Sequence, residues 1–214
     1  MNKLFTYFQE MEIDVFWYKQ NKSKQVKNDS NNLTNLQNQV ANCKACILHE
    51  TRTKTVFGEG ASNSNIMIIG EAPGKDEDLE GKPFIGRAGK LLNEILFSVD
   101  LKRDDIFITN TVKCRPPDNR NPHDTEVTAC SSYLDEQINF IKPKILILLG
   151  KVAADRVLKL DLPMSELRGK TFNLESYDVP IIVFYHPAYL LRSPSNKSKA
   201  WDDLKYMRTV MEVL

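Results

Sequence analysis

The chain alternates short apolar runs with segments of helical periodicity, and this alternation constrains its fold more than any other feature. Four apolar runs are typical of buried strands; they span 65–70, 105–111, 144–150 and 180–185. Apolar residues recur at steps of three and four in between, which predicts helices over 88–98, 124–141 and 151–159. Strands that alternate with helices form a mostly parallel sheet covered on both faces. The sequence therefore predicts a three-layer α/β/α sandwich around a central four-stranded sheet.

The rest of the chain adds two elements and an extension. A short edge strand is expected over 168–174, and the apolar spacing from Trp201 onwards predicts a C-terminal helix. Residues 1–40 are largely polar, and we expect them to form a partly helical N-terminal extension. A single domain over 41–214 accounts for the remainder.

Charge and hydropathy exclude several classes of protein. The 29 basic and 28 acidic residues leave a net charge of +1, which excludes a generally basic nucleic-acid coat but not a local basic face. No apolar run approaches the roughly 20 residues that span a bilayer, and no secretory signal opens the sequence. We therefore expect a cytoplasmic monomer without a membrane segment.

Three polar segments rich in Gly and Pro follow predicted strands; they span 70–90, 110–123 and 186–196. The carboxyl ends of parallel strands meet at one edge of a sheet, where α/β proteins bind their ligands. Phe84 lies in the first segment, Asn110 opens the second and His186 opens the third. The sequence therefore predicts that these three segments converge on one site.

Each of these residues has a structural and a functional interpretation. Phe84 is either a core residue or a stacking surface for a planar ring. Asn110 is either a turn former or a rigid amide that offers a donor and an acceptor together. A lone histidine such as His186 is usually structural. A basic cluster in the second segment either contacts phosphates or forms a solvated turn; its members are Lys113, Arg115 and Arg120.

The four cysteines of the chain form a candidate metal site. Cys43 and Cys46 are a C-x2-C pair, and Cys114 and Cys130 follow further along the chain. For a cytoplasmic protein, metal ligands or free thiols are expected rather than disulfides. The spacing slightly favours zinc, four thiolates also suit a [4Fe–4S] cluster, and two unrelated thiol pairs are a third interpretation.

Several motifs together carry a resemblance to a known family. Residues 70–74 read Gly-Glu-Ala-Pro-Gly, and residues 81–92 read Gly-Lys-Pro-Phe-Ile-Gly-Arg-Ala-Gly-Lys-Leu-Leu. Residues 43–48 read Cys-Lys-Ala-Cys-Ile-Leu, residues 56–60 read Val-Phe-Gly-Glu-Gly, and residues 113–117 read Lys-Cys-Arg-Pro-Pro. Over about Cys43 to Trp201, the sequence closely resembles the family 4 uracil-DNA glycosylases.

The resemblance implies a uracil-DNA glycosylase-like fold and a monofunctional DNA glycosylase. Such an enzyme hydrolyses the N-glycosidic bond of deoxyuridine in single- or double-stranded DNA and leaves an abasic site, which initiates base excision repair. The resemblance also implies that the four cysteines hold a [4Fe–4S] cluster rather than zinc.

The resemblance assigns roles in a uracil pocket. Asn110 would read the edge of uracil, Phe84 would stack on its ring, and His186 would hydrogen-bond O2. Backbone groups would close the pocket; they belong to Gly70, Glu71 and Ala72. On the DNA side, a loop would enter the base stack and basic residues would contact the strand; the candidates are Leu190, Leu191, Arg192, Arg115 and Arg120.

One departure leaves the attacking water without an assigned residue. The best-known branch of the superfamily carries an Asp at the position of Ala72, where it orients the water. Glu71 is then the leading candidate, and Glu77 and Asp78 are alternatives that otherwise belong to a solvated acidic turn. No lysine matches a recognised Schiff-base position, so cleavage of the DNA backbone is not expected.

Other classes of function stay open from the sequence. One is a zinc-stabilised DNA-binding module without catalysis, and another is a glycosylase-like domain that associates with a polymerase. A branch that attaches covalently to uracil-DNA is disfavoured, because this chain lacks the inserted basic loop after Asn110. The N-terminal extension is either a disordered spacer or a contact for a replication or repair protein.

Overall fold

The computed structural model describes residues 32–214, and its centre is a six-stranded mixed sheet of order β1-β3-β2-β4-β6-β5. The strands are β1 (Glu59–Gly60), β2 (Ile66–Gly70), β3 (Phe107–Asn110), β4 (Ile145–Leu149), β5 (Thr171–Leu174) and β6 (Tyr177–Phe184). The four central strands are parallel, and β1 and β5 pair antiparallel at the two edges. The predicted parallel core and the edge strand near 168–174 are confirmed, whereas two-residue β1 was not predicted.

Helices cover both faces of the sheet. They are α1 (32–41), α2 (Lys75–Glu80), α3 (Arg87–Phe97), α4 (Asp124–Ile141), α5 (Lys151–Leu158), α6 (Met164–Leu167), α7 (Pro187–Arg192) and α8 (Lys197–Met211). Short 3-10 turns lie at Ile47–His49, Arg103–Asp105, Pro117–Asn119 and Pro194–Asn196. The long helices match their predicted ranges closely, whereas α2 and α7 lie in segments that were expected to be loops.

Alternate residues of the strands pack into two separate hydrophobic layers. In β2, Met67 and Ile69 point to the layer that contains α1, α4 and α5. Ile66 and Ile68 point to the opposite layer, which contains α3 and α8. Because successive side chains of a strand point to opposite faces, this alternation requires a helical layer on each side. The predicted α/β/α sandwich is therefore confirmed.

The folded unit includes a helix that the sequence assigned to the extension. Leu36 and Val40 of α1 are each 1% exposed and belong to the core, and Leu33 packs against it. These residues recur at steps of three and four among Asn and Gln residues, in line with the partly helical character predicted for residues 1–40. In the structure this helix packs on the core of the domain. Residues 1–31, with their predicted helix and partner contact, lie outside the described residues.

No helix within residues 32–214 is both long enough and apolar enough to cross a membrane.

Candidate ring-binding pocket and cysteine cavity

A cavity of about 620 Å³ opens at the carboxyl ends of the parallel strands. All three predicted segments contribute to its wall, with Phe84 from the first, Asn110 from the second and His186 from the third. Glu71, Ala72 and other residues of the first segment also line it. The predicted convergence of the three segments is therefore confirmed by the structure.

Gly70 makes room for two of these side chains at the end of β2. It lies opposite Asn110 in the register of β2 and β3. A Cβ atom on Gly70 would lie 2.4 Å from Asn110 Oδ1 and 2.5 Å from Phe84 Cζ. Both distances are far below van der Waals contact, so any larger residue would push the amide and the ring apart. Gly70 thus serves the pocket by lacking a side chain.

Phe84 is held in an unusual backbone conformation at the base of the pocket. Its φ is 51°, in the left-handed region, and its ring is 6% exposed. The Arg103 guanidinium donates to the Phe84 carbonyl at 3.3 Å and also to the Pro83 carbonyl. The ring centroid lies 5.7 Å from that of His186, with the planes tilted by 35°. Phe84 is therefore at once a core residue and a wall of the pocket.

Asn110 presents a buried amide whose acceptor is free. The residue is 1% exposed and is the last residue of β3. Among the described residues, Oδ1 of this amide has no hydrogen-bond partner. A buried carbonyl without a partner costs about 1–3 kcal/mol, so such an atom in a folded protein needs an explanation, and a partner supplied by a ligand is one. The amide therefore suits a ligand that brings an N–H donor.

His186 is a neutral hydrogen-bond donor at the entrance to α7. Its Nδ1 accepts a hydrogen bond from the Ala188 backbone N–H at 3.1 Å. Since Nδ1 acts as the acceptor, the neutral ring carries its proton on Nε2. Burial, with a smaller contribution from the Arg192 charge, lowers the pKa of His186 from 6.5 to about 4. The imidazole is therefore uncharged at neutral pH.

Glu71 lines the same pocket, next to Gly70. Its carbonyl accepts from Thr111 Oγ1 at 2.7 Å and from the Val112 N–H at 3.3 Å, which ties the first segment to the second. Burial raises the pKa of the Glu71 carboxyl, and the Arg156 charge opposes this shift. The structure thus places a half-buried carboxyl group at the pocket wall.

Glu77 and Asp78 hold the first segment together, so the predicted solvated acidic turn is wrong. The Glu77 carboxylate accepts the backbone N–H groups of Gly74, Ile85 and Gly86 at 3.0–3.1 Å. The Asp78 carboxylate is 2% exposed and accepts the Thr53 N–H through both oxygens. Glu77 also lines the pocket and Asp78 does not, and the oxygens of both carboxylates already accept hydrogen bonds from the backbone.

The predicted insertion loop is a short helix, and one of its candidates lies inside the protein. Leu190 of α7 is 1% exposed, so the expectation that its side chain enters DNA is not met in this structure. The helical turn that begins at Pro187 points Leu190 into the interior. Leu191 is half-buried and Arg192 is exposed, and both stay candidates.

The basic residues of the second segment have separate environments. Lys113 is 1% exposed, so its predicted contact with phosphates is wrong. Arg115 Nε donates to Asn119 Oδ1 at 2.8 Å. Arg120 forms two hydrogen bonds, at 2.6 and 2.9 Å, with the buried carboxylate of Glu126, whose pKa this pairing lowers. Arg120 also lines the ring-binding pocket.

All four cysteines line one cavity, on the far side of the second segment from the pocket. Arg52 Nη1 donates to Cys114 Sγ at 3.0 Å, and its other amino group donates to the Cys43 carbonyl at 2.8 Å. Burial raises the pKa of Cys114 to about 11 and also raises that of Cys130. Within residues 32–214, no three His, Cys, Asp or Glu side chains are arranged around a single metal-ion position.

Three residues organise these sites through contacts that reasoning from sequence did not predict. Arg103 holds the Phe84 backbone, Glu77 holds the loop around it, and Arg52 contacts the cysteines. Arg103 Nη1 lies 19 residues along the chain from the Phe84 carbonyl that it contacts. No local pattern along the chain marks such a partner.

The fold and the pocket together define an α/β protein with a binding site for a planar ring that has polar edges. A family profile described as uracil DNA glycosylase superfamily matches residues 57–205. The chain is 42% identical to a type-4 uracil-DNA glycosylase of Archaeoglobus fulgidus, over 81% of this chain and 90% of that protein. It is 44% identical to the type-4 enzyme of Sulfurisphaera tokodaii, over 82% of this chain and 83% of that protein.

A type-5 uracil-DNA glycosylase of Pyrobaculum aerophilum is less similar, with 32% identity over 61% of this chain and 64% of that protein. The chain therefore belongs to the uracil-DNA glycosylase superfamily and, within it, to the type-4 family. The resemblance inferred from the glycine-rich and cysteine motifs is confirmed.

Proposed function

We propose that this protein is a monofunctional uracil-DNA glycosylase, which hydrolyses the N-glycosidic bond of deoxyuridine in single- or double-stranded DNA. The product is an abasic site, with which base excision repair begins. One observation carries the proposal: Asn110, whose buried amide has an acceptor without a partner among the described residues, lines one pocket together with an aromatic ring and a neutral imidazole. The target base must leave the duplex to reach this pocket.

Recognition of uracil follows from the donors and acceptors of its edge. Asn110 Oδ1 would accept the N3–H of uracil, and the amide N–H would donate to O4. Cytosine presents an acceptor at N3 and a donor at C4, so the same amide would meet it with both groups mismatched. A site built to hydrogen-bond one edge can reject a mismatched edge by several orders of magnitude, because buried groups are left unpaired.

The chemistry separates uracil from the sugar. As the N1–C1′ bond breaks, its electron pair moves into the uracil ring and negative charge develops at O2. Nε2–H of neutral His186 would donate to O2, and the backbone of Gly70, Glu71 and Ala72 would close the pocket. A water oxygen then bonds to C1′, and the proton that it releases balances the one that the uracil anion takes up to become uracil. A preorganised donor of this kind contributes roughly a hundredfold to a thousandfold in rate.

Glu71 is our candidate for positioning that water. Its carboxyl group lies at the pocket wall, whereas the oxygens of Glu77 and Asp78 are engaged with the loop backbone. An ionised carboxylate at this place would also oppose the positive charge that develops on the sugar. Neither effect requires a side chain at the position of Ala72.

On the DNA side, the exposed surface of α7 would fill the gap left by the flipped nucleotide. Leu191 and Arg192 are the two accessible candidates, and an apolar side chain is a common wedge in DNA recognition. Arg115 and Arg120 would contact the strand from the second segment. The ion pair with Glu126 would hold the Arg120 guanidinium in place for this contact.

We also propose that Cys43, Cys46, Cys114 and Cys130 hold a [4Fe–4S] cluster. The four thiols share one cavity, and Arg52 already donates to one sulfur, as it would to a charged ligand. The choice of a cluster over zinc rests on the membership of the type-4 family and on its cysteine motif, since four thiolates suit either group. When bound, the cluster would supply a cross-link between the N-terminal segment, the second segment and α4.

The experiment that tests the activity uses oligonucleotides with one uracil, single-stranded or paired. Strands should break only when alkali follows the incubation, since a monofunctional enzyme leaves an intact abasic site. No break after alkali would refute the enzyme, and a break without alkali would refute the monofunctional mechanism. Metal analysis of anaerobically purified protein tests the cluster, and stoichiometric zinc without iron would refute it.

A further inference from the structure

Lys113 places a buried amino group between the ring-binding pocket and the cysteine cavity. It is 1% exposed, the largest of the fully buried side chains. Its Nζ donates to Gln137 Oε1 at 2.6 Å, to the Asn110 carbonyl at 2.7 Å and to Thr109 Oγ1 at 2.8 Å. These three acceptors use all three protons of an ammonium group.

The acceptors of Lys113 are themselves fixed. Gln137 of α4 is fully buried, and its Nε2 donates to the Phe57 carbonyl at 2.8 Å. The Thr109 hydroxyl donates to the same carbonyl, also at 2.8 Å. The ammonium is therefore anchored by a helix and by the strand, and its third proton acts on the Asn110 peptide.

Burial of the Lys113 amino group has a large free-energy cost, which a side chain with only a packing role would not need. Burying an ammonium costs several kcal/mol unless it is paired. Among residues 32–214, no carboxylate forms an ion pair with Lys113, and its hydrogen-bond acceptors are all neutral. The neighbouring cysteine cavity, whose thiolates would be negatively charged, can account for a cation at this place, but the hydrogen bond to the Asn110 carbonyl needs its own explanation.

The Asn110 carbonyl lies at the end of β3, where no strand among the described residues donates a hydrogen bond to it. The Thr111 N–H donates to Gly70 on the β2 side, so the carbonyl of Asn110 faces the opposite side. The strand on that side, β1, pairs only with Phe107 and Ile108 and ends before Asn110. Lys113 Nζ therefore replaces a strand partner where the sheet ends and the base-reading residue begins.

We propose that Lys113 is a positioning residue for base recognition, which fixes the Asn110 peptide and so aims its side-chain amide. The inference rests on the proposed uracil-DNA glycosylase activity. Lys113 also lines the cysteine cavity and directly precedes Cys114. The same side chain thus connects the two regions of the molecule, and its removal must be judged in both.

The test replaces Lys113 by methionine, which has a similar length and no donors. Lys144→Met is the matched control, since Lys144 is exposed at the opposite end of the sheet. Four quantities are measured: affinity for free uracil, the ratio of uracil to cytosine excision, iron per chain and Tm. A misplacement of about 1 Å can cost roughly a hundredfold in rate, so we expect Lys113→Met to lose about 10- to 100-fold in uracil affinity and in kcat/KM. The control should match the parent protein.

A second variant covers the case in which Lys113→Met does not fold. The double variant Lys113→Met, Gln137→Leu removes the ammonium together with its buried amide acceptor, and the Thr109 hydroxyl stays to donate to the Phe57 carbonyl. Replacing both partners of a buried hydrogen bond costs less stability than leaving one of them unpaired. It should fold and keep the loss of uracil affinity. Either variant, if folded, overturns the proposal when its uracil affinity and base selectivity stay within about twofold of the parent.

Failure of both variants to fold also counts against the proposal, because Lys113 would then be a structural residue. The proposed function fails separately, through a parent protein that neither binds uracil nor excises it. In an active parent, an unaffected Lys113 variant overturns only the role of Lys113.

Discussion

The ring-binding pocket and the cysteine cavity lie on either side of the segment 110–114, but the positions and charges of their functional groups are set in different ways. In the pocket, the protein alone sets each functional group: burial keeps His186 neutral, and Gly70 lets Asn110 approach Phe84. In the cavity, burial works against the thiolates that a metal needs, since it raises the pKa of Cys114 to about 11. The pocket is therefore preorganised by packing, whereas in the cavity the proposed cluster would have to favour the thiolate form of its ligands.

This difference separates chemistry from stability. Substitutions in the pocket should alter rate and selectivity with little effect on folding, and substitutions in the cavity should do the reverse. Lys113 belongs to both regions, because it lines the cavity and its amino group donates to the Asn110 carbonyl. Its substitution should therefore affect both the chemistry and the stability. The following experiments challenge this contrast, from the largest expected effect to the smallest.

Replacing His186 by alanine should have the largest effect on rate. Loss of a donor aimed at developing charge lowers kcat by about 10²- to 10³-fold, and iron content and Tm should change little. Single-turnover kinetics on a uracil-containing oligonucleotide measures the loss. His123→Ala makes the same change at an exposed position before α4 and should leave the rate unaltered. An active His186→Ala protein would remove this residue from the chemistry.

Asn110→Asp keeps the shape of the side chain and exchanges the amide N–H for a carboxylate oxygen. Without that donor, uracil excision should fall by about 10²-fold and discrimination against cytosine should weaken. Excision rates on matched uracil and cytosine substrates provide the measurement. Asn63→Asp, in an exposed turn before β2, is the control. If the ratio of the two rates stays the same, Asn110 does not read the base.

Cys114→Ser should act on the cavity instead. We expect loss of iron and a loss of stability of about 2–3 kcal/mol, which corresponds to a Tm lower by roughly 4–12 °C for a chain of this size. The rate per folded molecule should fall less than in the two pocket variants. Metal analysis and calorimetry measure the effect, with Asn110→Asp as the comparison that keeps its iron. Full iron content in Cys114→Ser would contradict the ligand assignment.

Phe84→Leu tests the stacking surface. Stacking of a base on an aromatic ring contributes about 1–3 kcal/mol, and leucine keeps part of the packing, so uracil should bind about tenfold more weakly. Titration with free uracil measures this affinity. Phe97→Leu is the control, because Phe97 is 77% exposed on α3. Equal affinities in the two variants would leave Phe84 with a packing role alone.

The pH dependence should be the mildest effect. His186, with a pKa of about 4, is neutral throughout the range from about pH 6 to 8, so its protonation should not change the rate there. The raised pKa of Glu71 puts its deprotonation above the ordinary carboxyl range, so the rate should rise with pH and then level off. Glu71→Gln should flatten this rise. A rise that persists in Glu71→Gln would assign it to another group.

Much of the fold was predictable because its signals are local. The steps of three and four in 124–141 predicted α4 over its observed range, and the apolar run at 144–150 predicted β4. The failures also have physical reasons. Helix α1 was expected within a polar extension, and only its packing shows that it belongs to the core. Helix α7 is a six-residue helix in a segment interpreted as a loop. A His N-cap followed by Pro at the first helical position was the available signal.

The sequence by itself determined the layers of this protein, the convergence of three loops and, through its motifs, the family. These depend on periodicity and on residue identity along the chain. Only the tertiary structure decided which polar groups are free and which are engaged. In the folded protein, the carboxylates of Glu77 and Asp78 accept hydrogen bonds from loop backbone. Leu190 and Lys113 are buried, and the Asn110 acceptor has no partner among the described residues. The reason is that burial and hydrogen-bond partners come from residues distant in the chain, and no local pattern records them.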